Sequence, residues 1–283
     1  MENNNQEGGK QVIKYRHTQP LYDEQGRLRF TGLKPGDLAK TVLLPGDPHR
    51  CELIARQFKD ARFIGQRSTF AAYSGYTQAG TPVSVVSSGM GCMCVSLAME
   101  EFAHLGVENV IRVGTCAGLQ PDIAPGTISI ATGCVRGEGA SLEYVPLEYP
   151  AIADYKLVSS IKDAAEQLNE NHVLGLYRSH DAFYMESMAA HEGLWDRMNL
   201  WQAANVVSEE NESGTLFPLG YLLGIRTASV CVVLGYMLAD YDPNGLSNYP
   251  AYGDPKFLEQ RINAETKVIL RAVDLLEDGQ YEI

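Results

Sequence analysis

From about residue 40 onward, short apolar runs rich in β-branched residues alternate with amphipathic stretches along most of the chain. A strand covered on both faces reads as such a run, and the amphipathic stretch after it supplies the cover. That rhythm predicts an α/β fold with a largely buried sheet. Strands are expected at 41–44, 69–76, 83–87, 109–113, 127–132, 172–178 and 226–234, and helices at 49–58, 95–105, 154–168, 192–203, 212–223 and 257–276. The last helix is the clearest: Leu258, Ile262, Ile269, Val273 and Leu276 recur at helical spacing with charges between them, which reads as packing without chemistry. Residues 1–20 hold few apolar anchors and are expected to form a tail without fixed structure, leaving 21–283 as one domain.

Composition narrows the function. The 283 residues carry 23 Lys and Arg against 35 Asp and Glu, a net charge of −12, which argues against nucleic-acid binding. No apolar run approaches the roughly 18 residues of a membrane span, and the polar start, through Lys14, has no secretory apolar core. A cytoplasmic protein is expected. Its six Cys are too sparse for a disulfide framework and lack zinc-ligand spacing, so they read as buried thiols, with no metal site.

Four segments have the residue types that chemistry requires. Leu-Leu-Pro-Gly-Asp-Pro-His-Arg (43–50) runs from a strand through a tight turn into a helix. Its backbone N–H groups and Arg50 suit an anion, while Asp47 equally suits a helix cap. In Ile-Arg-Val-Gly-Thr (111–115), Arg112 interrupts an apolar strand, a costly placement unless it holds an anion or pairs with a buried carboxylate. Ser-Gly-Met-Gly-Cys-Met-Cys (88–94) approaches the dinucleotide fingerprint but has Cys94 at the third Gly position and Arg112 where an acidic residue belongs; a glycine floor beneath a ligand fits better. Val-Val-Ser-Glu-Glu-Asn-Glu-Ser-Gly (206–214) offers three carboxylates, which either complement a helix dipole or place one Glu against a sugar diol.

In order and spacing these segments resemble the nucleoside phosphorylase-I family, and within it the uridine phosphorylases, over nearly all of residues 30–276. Further matching pieces are Gly-Leu-Lys-Pro-Gly-Asp-Leu (32–38), Asp-Ala-Phe-Tyr (181–184) and Gly-Ala-Ser-Leu-Glu-Tyr-Val-Pro-Leu-Glu-Tyr-Pro-Ala (139–151). The resemblance implies a single-domain, three-layer α/β fold with a central twisted mixed sheet flanked by helices. It implies phosphorolysis of a nucleoside to ribose 1-phosphate and free base, with inorganic phosphate as co-substrate and no other cofactor. Gly46, Arg50, Arg112 and Thr115 match the phosphate site, with Arg67 lent across a dimer interface to the neighbour, in dimers or a hexamer of dimers. Glu212 matches the carboxylate on the ribose hydroxyls, Asn211 stands beside the sugar, and Phe30 aligns with a histidine that reaches the neighbour's ribose. Phe183 matches the aromatic against the base; Gly114, Ser187 and Tyr236 complete the expected base contacts. Arg112 and Glu212 are the expected catalytic pair.

The departures from that family lie at the base. Uridine phosphorylases read uracil with a Gln and an Arg just after the Phe-Tyr pair, but Met185, Glu186, Ser187, Met188 and Ala189 follow here. The Asp with which purine enzymes protonate the leaving base is also missing: Gly235-Tyr236-Met237 follows the strand, and no Asp occurs before Asp240. The expected function is therefore uridine phosphorylase-like with an atypical base pocket; the alternatives are a purine or modified-nucleoside phosphorylase, or a catalytically weak nucleoside-binding paralogue.

Overall fold

The computed structural model describes residues 18–186, 193–238, 254–279 and 281. The strands are β1 (Thr41–Pro45), β2 (Lys59–Arg67), β3 (Phe70–Tyr76), β4 (Pro82–Val86), β5 (Asn109–Gly118), β6 (Ile128–Gly137), β7 (His172–His180), β8 (Val206–Glu210) and β9 (Arg226–Tyr236). The helices are α1 (Pro48–Ala55), α2 (Cys92–Phe102), α3 (Tyr155–Gln167), α4 (Leu194–Ala203), α5 (Ser213–Leu223) and α6 (Pro255–Glu277). Local chemistry sets several helix starts. Asp47, Asp154 and Asp254 each accept backbone N–H groups of the first turn, and Pro48 and Pro255 sit where a missing N–H costs nothing.

The sheet runs β2-β3-β4-β1-β5-β8-β7-β6-β9, and β9 also pairs with β5. That second pairing closes β5, β8, β7, β6 and β9 into a ring. The β5–β9 ladder is parallel from Asn109↔Arg226 onward, while β9 meets β6 antiparallel at Ile130↔Val230. Register shifts at Cys116/Gly118 and Ala131/Gly133 bend the long strands so that the curl can close. The sheet is thus mixed, as expected, and Val110, Ile111, Ile128, Val230 and Val232 on its strands are all fully buried. Helix α6 buries Ile262, Ile269 and Val273 as its periodicity predicts.

Two strands lie outside the runs legible at first sight. β2 is mostly exposed and shows no buried alternation. β8, Val-Val-Ser-Glu-Glu, is buried along its whole length yet ends in two carboxylates. The proposed tail, 1–20, lies outside the described residues up to position 17; at its end Thr18 Oγ1 donates to Glu100 on α2 at 2.7 Å. The thiols need one correction: all six are free, but Cys94 and Cys134 are only partly buried.

Candidate active site

The carboxyl ends of β1, β5, β7 and β8 converge on one cavity of about 280 Å³. Open α/β sheets place ligands at such strand ends, where the backbone leaves the sheet and side chains are free to face inward. Gly46, Asp47 and Arg50 form one wall, from the β1–α1 turn. Asp47 serves as the cap, accepting the His49 N–H at 2.9 Å. Thr115, Cys116 and Ala117 contribute a second wall from β5.

The floor is an arginine between two carboxylates. Arg112 is 5% exposed; its Nε donates to Glu210 at 2.7 Å and its Nη2 pairs with Glu212. Burial opposes its charge, but Glu212 and Glu210 outweigh that and hold its pKa above the ordinary value. Glu210 is fixed by Ser179 Oγ and by the N–H groups of Glu212 and Ser213, at 3.0 and 2.9 Å. Glu212 accepts the Gly91 N–H at 2.7 Å. Burial raises the Glu212 pKa, Arg112 draws it down, and Glu210 raises it again, for a net upward shift. The glycine-rich turn therefore gives its helix-terminal N–H to a protein carboxylate, which removes the support for a dinucleotide phosphate there. Gly89 and Gly91, at φ +86° and +88°, hold a conformation that side chains rarely adopt, and Met90 between them lines the cavity.

The other end of the cavity is built around His180, at the end of β7. Its Nε2 lies 2.6 Å from Glu209 Oε1, and its Nδ1 lies 3.8 Å from Glu186. Glu186 is held by both Arg178 Nε and Nη2, at 2.8 and 2.9 Å, and the Arg178 guanidinium stacks 4.5 Å from the Trp201 ring centre. Burial raises the Glu209 pKa, and His180 pulls part of that back. His180, Glu186 and Glu209 bring three ligand atoms within 4.8 Å of one another, the only such group among the described residues. The sequence offered no such set because its members come from β7, the turn after it and β8. Arg178 already neutralises Glu186, so a cation there would compete with an arginine. Phe183 also lines the cavity, edge-on to Tyr184.

The structure brings Gly46, Arg50, Arg112, Thr115, Phe183, Asn211 and Glu212 to one cavity. Other expected site residues lie elsewhere. Tyr236, expected at the base, packs among Leu119, Met198, Val206 and Met237 and accepts from Gln202 Nε2 at 2.6 Å, so its hydroxyl is already engaged. Gly114 lies beneath the Arg112 guanidinium rather than at the base, where an added Cβ would come within 2.9 Å of Arg112 Nη2 and Cys231 Sγ. Ser187 falls outside the described residues. Arg67 and Phe30 are remote from their own chain's cavity. Arg67 pairs with Asp23 at 2.7 Å and donates to the Leu28 and Arg29 carbonyls, and Phe30, 40% exposed, gives its N–H to Glu101.

Three residues escaped a functional reading from sequence: His180, Glu209 and Glu265. Glu265 sits on the inner face of α6, fully buried. Burial drives its pKa well above the ordinary value, Cys231 adds to that, and Arg50, the Gly114 N–H and Arg112 offset only part. The helix read as pure packing thus carries an acid beneath the arginine floor.

Comparison with known proteins places this geometry. The family described as the phosphorylase superfamily matches residues 40–273. A uridine phosphorylase of Treponema pallidum is 42% identical over 208 residues, 72% of this chain and 80% of that protein. A guanosine phosphorylase of Halorubrum lacusprofundi is 31% identical over 244 residues, 86% of this chain and 97% of that protein. The crystal structure of a uridine phosphorylase from Vibrio fischeri ES114 superposes with a TM-score of 0.76 at 24% identity, covering 87% of this chain and 95% of that one, so the fold is shared.

Proposed function

The chain belongs to the phosphorylase superfamily, and we propose from that footing that it is a uridine phosphorylase-like pentosyltransferase, cleaving a ribonucleoside with inorganic phosphate to free base and ribose 1-phosphate. One observation carries the reading: Arg112, Glu212, Arg50 and Thr115 face one cavity although they come from three separate parts of the fold. A guanidinium has five N–H donors, and the two ion pairs of Arg112 leave several for an anion. Arg50 opposite, the Thr115 hydroxyl and the Gly46 backbone complete a phosphate cradle.

Glycosidic cleavage passes through a sugar with developing positive charge. A phosphate held below the anomeric carbon is both the nucleophile and the electrostatic partner of that charge. Glu212 accepts the ribose hydroxyls with the carboxylate that also anchors Arg112, so the sugar and the phosphate are positioned by one linked pair. Asn211 donates to the His180 carbonyl and stands beside Glu212, and Phe183 packs on the base. The chemistry uses phosphate as co-substrate and calls for no organic cofactor or metal.

Arg67 and Phe30 fit a role in trans, because both lie away from their own chain's cavity; a dimer, alone or within a hexamer of dimers, would bring the neighbour's pair to this site. Six free thiols suit a reducing cytoplasm. Among the described residues no helix is long and apolar enough to cross a membrane.

The test is a panel of nucleosides incubated with and without phosphate, with free base read by chromatography. Phosphate-dependent release of a base together with ribose 1-phosphate is expected. Base release that is independent of phosphate, or none from any nucleoside, refutes the reading.

A further inference from the structure

We infer that Glu209 is the base-reading residue: its Oε2 accepts the ring N–H of a lactam base, N3–H of uracil or N1–H of a 6-oxopurine, while His180 positions the carboxylate through Oε1. The inference rests on the phosphorolysis reading and names the edge of the substrate that the cavity selects.

Neighbouring residues of β8 divide the cavity between them. Successive side chains of a strand point to opposite faces. Glu210 accordingly turns to Arg112, Ser179 and Ser213, and Glu209 turns to His180. The Arg112 side is the phosphate and ribose half. Phe183 lines the same cavity as Glu209 and follows His180 by three residues. Glu209 is 3% exposed and lines the cavity, yet its Oε2 has no hydrogen-bond partner. A buried carboxylate oxygen without a donor is costly, and a bound base supplies one.

Two other polar side chains near this end are already engaged. Arg178 is held in two hydrogen bonds to Glu186 and stacked on Trp201, and it is not among the residues that line the cavity. Tyr236 is engaged by Gln202. Positions 185–189 carry neither Gln nor Arg. The open group is therefore a lone acceptor. A lactam edge meets it with a ring N–H. Adenine and cytosine edges present a ring lone pair beside their amino group, and that lone pair would face a carboxylate. Methylation of the ring nitrogen removes the donor altogether.

The experiment measures phosphate-dependent base release by the full chain from uridine, inosine, guanosine, cytidine and adenosine, and from 3-methyluridine, 1-methylinosine and 1-methylguanosine. Expected is turnover confined to the lactam nucleosides, with kcat/KM at least about 10²-fold lower after ring-nitrogen methylation. Preference for uridine over inosine and guanosine, or the reverse, identifies the ring system. Glu209→Gln should narrow the gap between lactam and amino bases, because an amide both donates and accepts. His180→Ala should raise KM with kcat held, and His180→Gln, which keeps a donor near Nε2, should restore much of it. Equal kcat/KM for a lactam nucleoside and its methylated form, or adenosine or cytidine as the best substrate, overturns the inference. If no nucleoside is cleaved, phosphorolysis fails separately, and calorimetric binding of uracil and guanine against 3-methyluracil and 1-methylguanine still decides: equal affinity overturns the role of Glu209, and loss on methylation supports it.

Discussion

Replacing Arg112 with Met should expose how much of the fold depends on its charge. The guanidinium is 5% exposed and lies between Glu210 and Glu212, which are 4% exposed each. Met fills most of the volume, so the loss is electrostatic. Glu210 keeps the Ser179 hydroxyl and two backbone N–H groups, but Glu212 keeps the Gly91 N–H as its remaining contact of comparable strength. Removing one partner of a buried pair costs about 3–5 kcal/mol. At about 2–4 °C per kcal/mol for a domain somewhat smaller than this one, the melting midpoint should fall by roughly 6–20 °C. Arg112→Met/Glu212→Gln removes one stranded charge and should recover about 0.5–3 kcal/mol of that. Thermal melts with and without inorganic phosphate read both roles together. At phosphate near 100 times its Kd, the wild type gains about 2.7 kcal/mol by mass action, and Arg112→Met should gain almost none. A melting loss below about 3 °C would refute the structural part of the argument, and undiminished phosphate protection would refute the assignment of Arg112 to the anion.

Glu265→Gln tests the buried acid on α6. Its folded pKa lies well above 4.5, so the stability it contributes is complete below the unfolded value and is lost as pH rises toward the folded one. The melting advantage of Glu265→Gln over wild type should therefore grow from pH 4.5 to pH 8, and a constant difference would contradict the neutral-acid assignment. Arg67→Ala and Glu212→Ala should each abolish turnover, yet co-expressed chains should recover roughly a quarter of the sites if Arg67 acts on the neighbour; no recovery from verified mixed oligomers would refute its action in trans. In Gly175→Ala, the new Cβ would stand 2.4 Å from Val207 Cγ1, between β7 and β8. Overpacking of this kind costs about 1–3 kcal/mol, and a wild-type melting midpoint would show that the two strands adjust freely.

Much of the architecture was legible because burial and periodicity coincide in it. β1, β5 and β9 are buried apolar runs, and α6 repeats its apolar residues at helical spacing, so each declares its own partner surface. β2 and β8 failed for opposite physical reasons. β2 is an exposed hairpin strand whose pairing with β3 comes from backbone hydrogen bonds, which leave no mark in side-chain polarity. β8 is buried, but its Glu209 and Glu210 look like surface charge until His180 and Arg112 are seen opposite them. The closure of β9 onto β5 was equally hidden, since strand order is a property of pairs and not of segments.

The same contrast separates the two ends of the site. At the phosphate end, Gly-Asp-Pro beside a helix start and Arg inside an apolar strand each violate a local rule, and each violation points to its own cause. At the base end no single residue breaks a rule strongly enough to be noticed. His180 ends a strand, Glu186 lies in a turn, and Glu209 sits beside another Glu; their meaning arises when β7 and β8 run parallel and bring Arg178 opposite Glu209 in register. Arg178 then neutralises Glu186 and His180 takes one oxygen of Glu209, which leaves Oε2 without a protein donor. At the Arg112 end each carboxylate already has a cation within the protein. At the Glu209 end, on the reading proposed above, one hydrogen bond is left for the substrate to make, and a ligand that cannot supply the donor leaves a buried carboxylate oxygen unpaired.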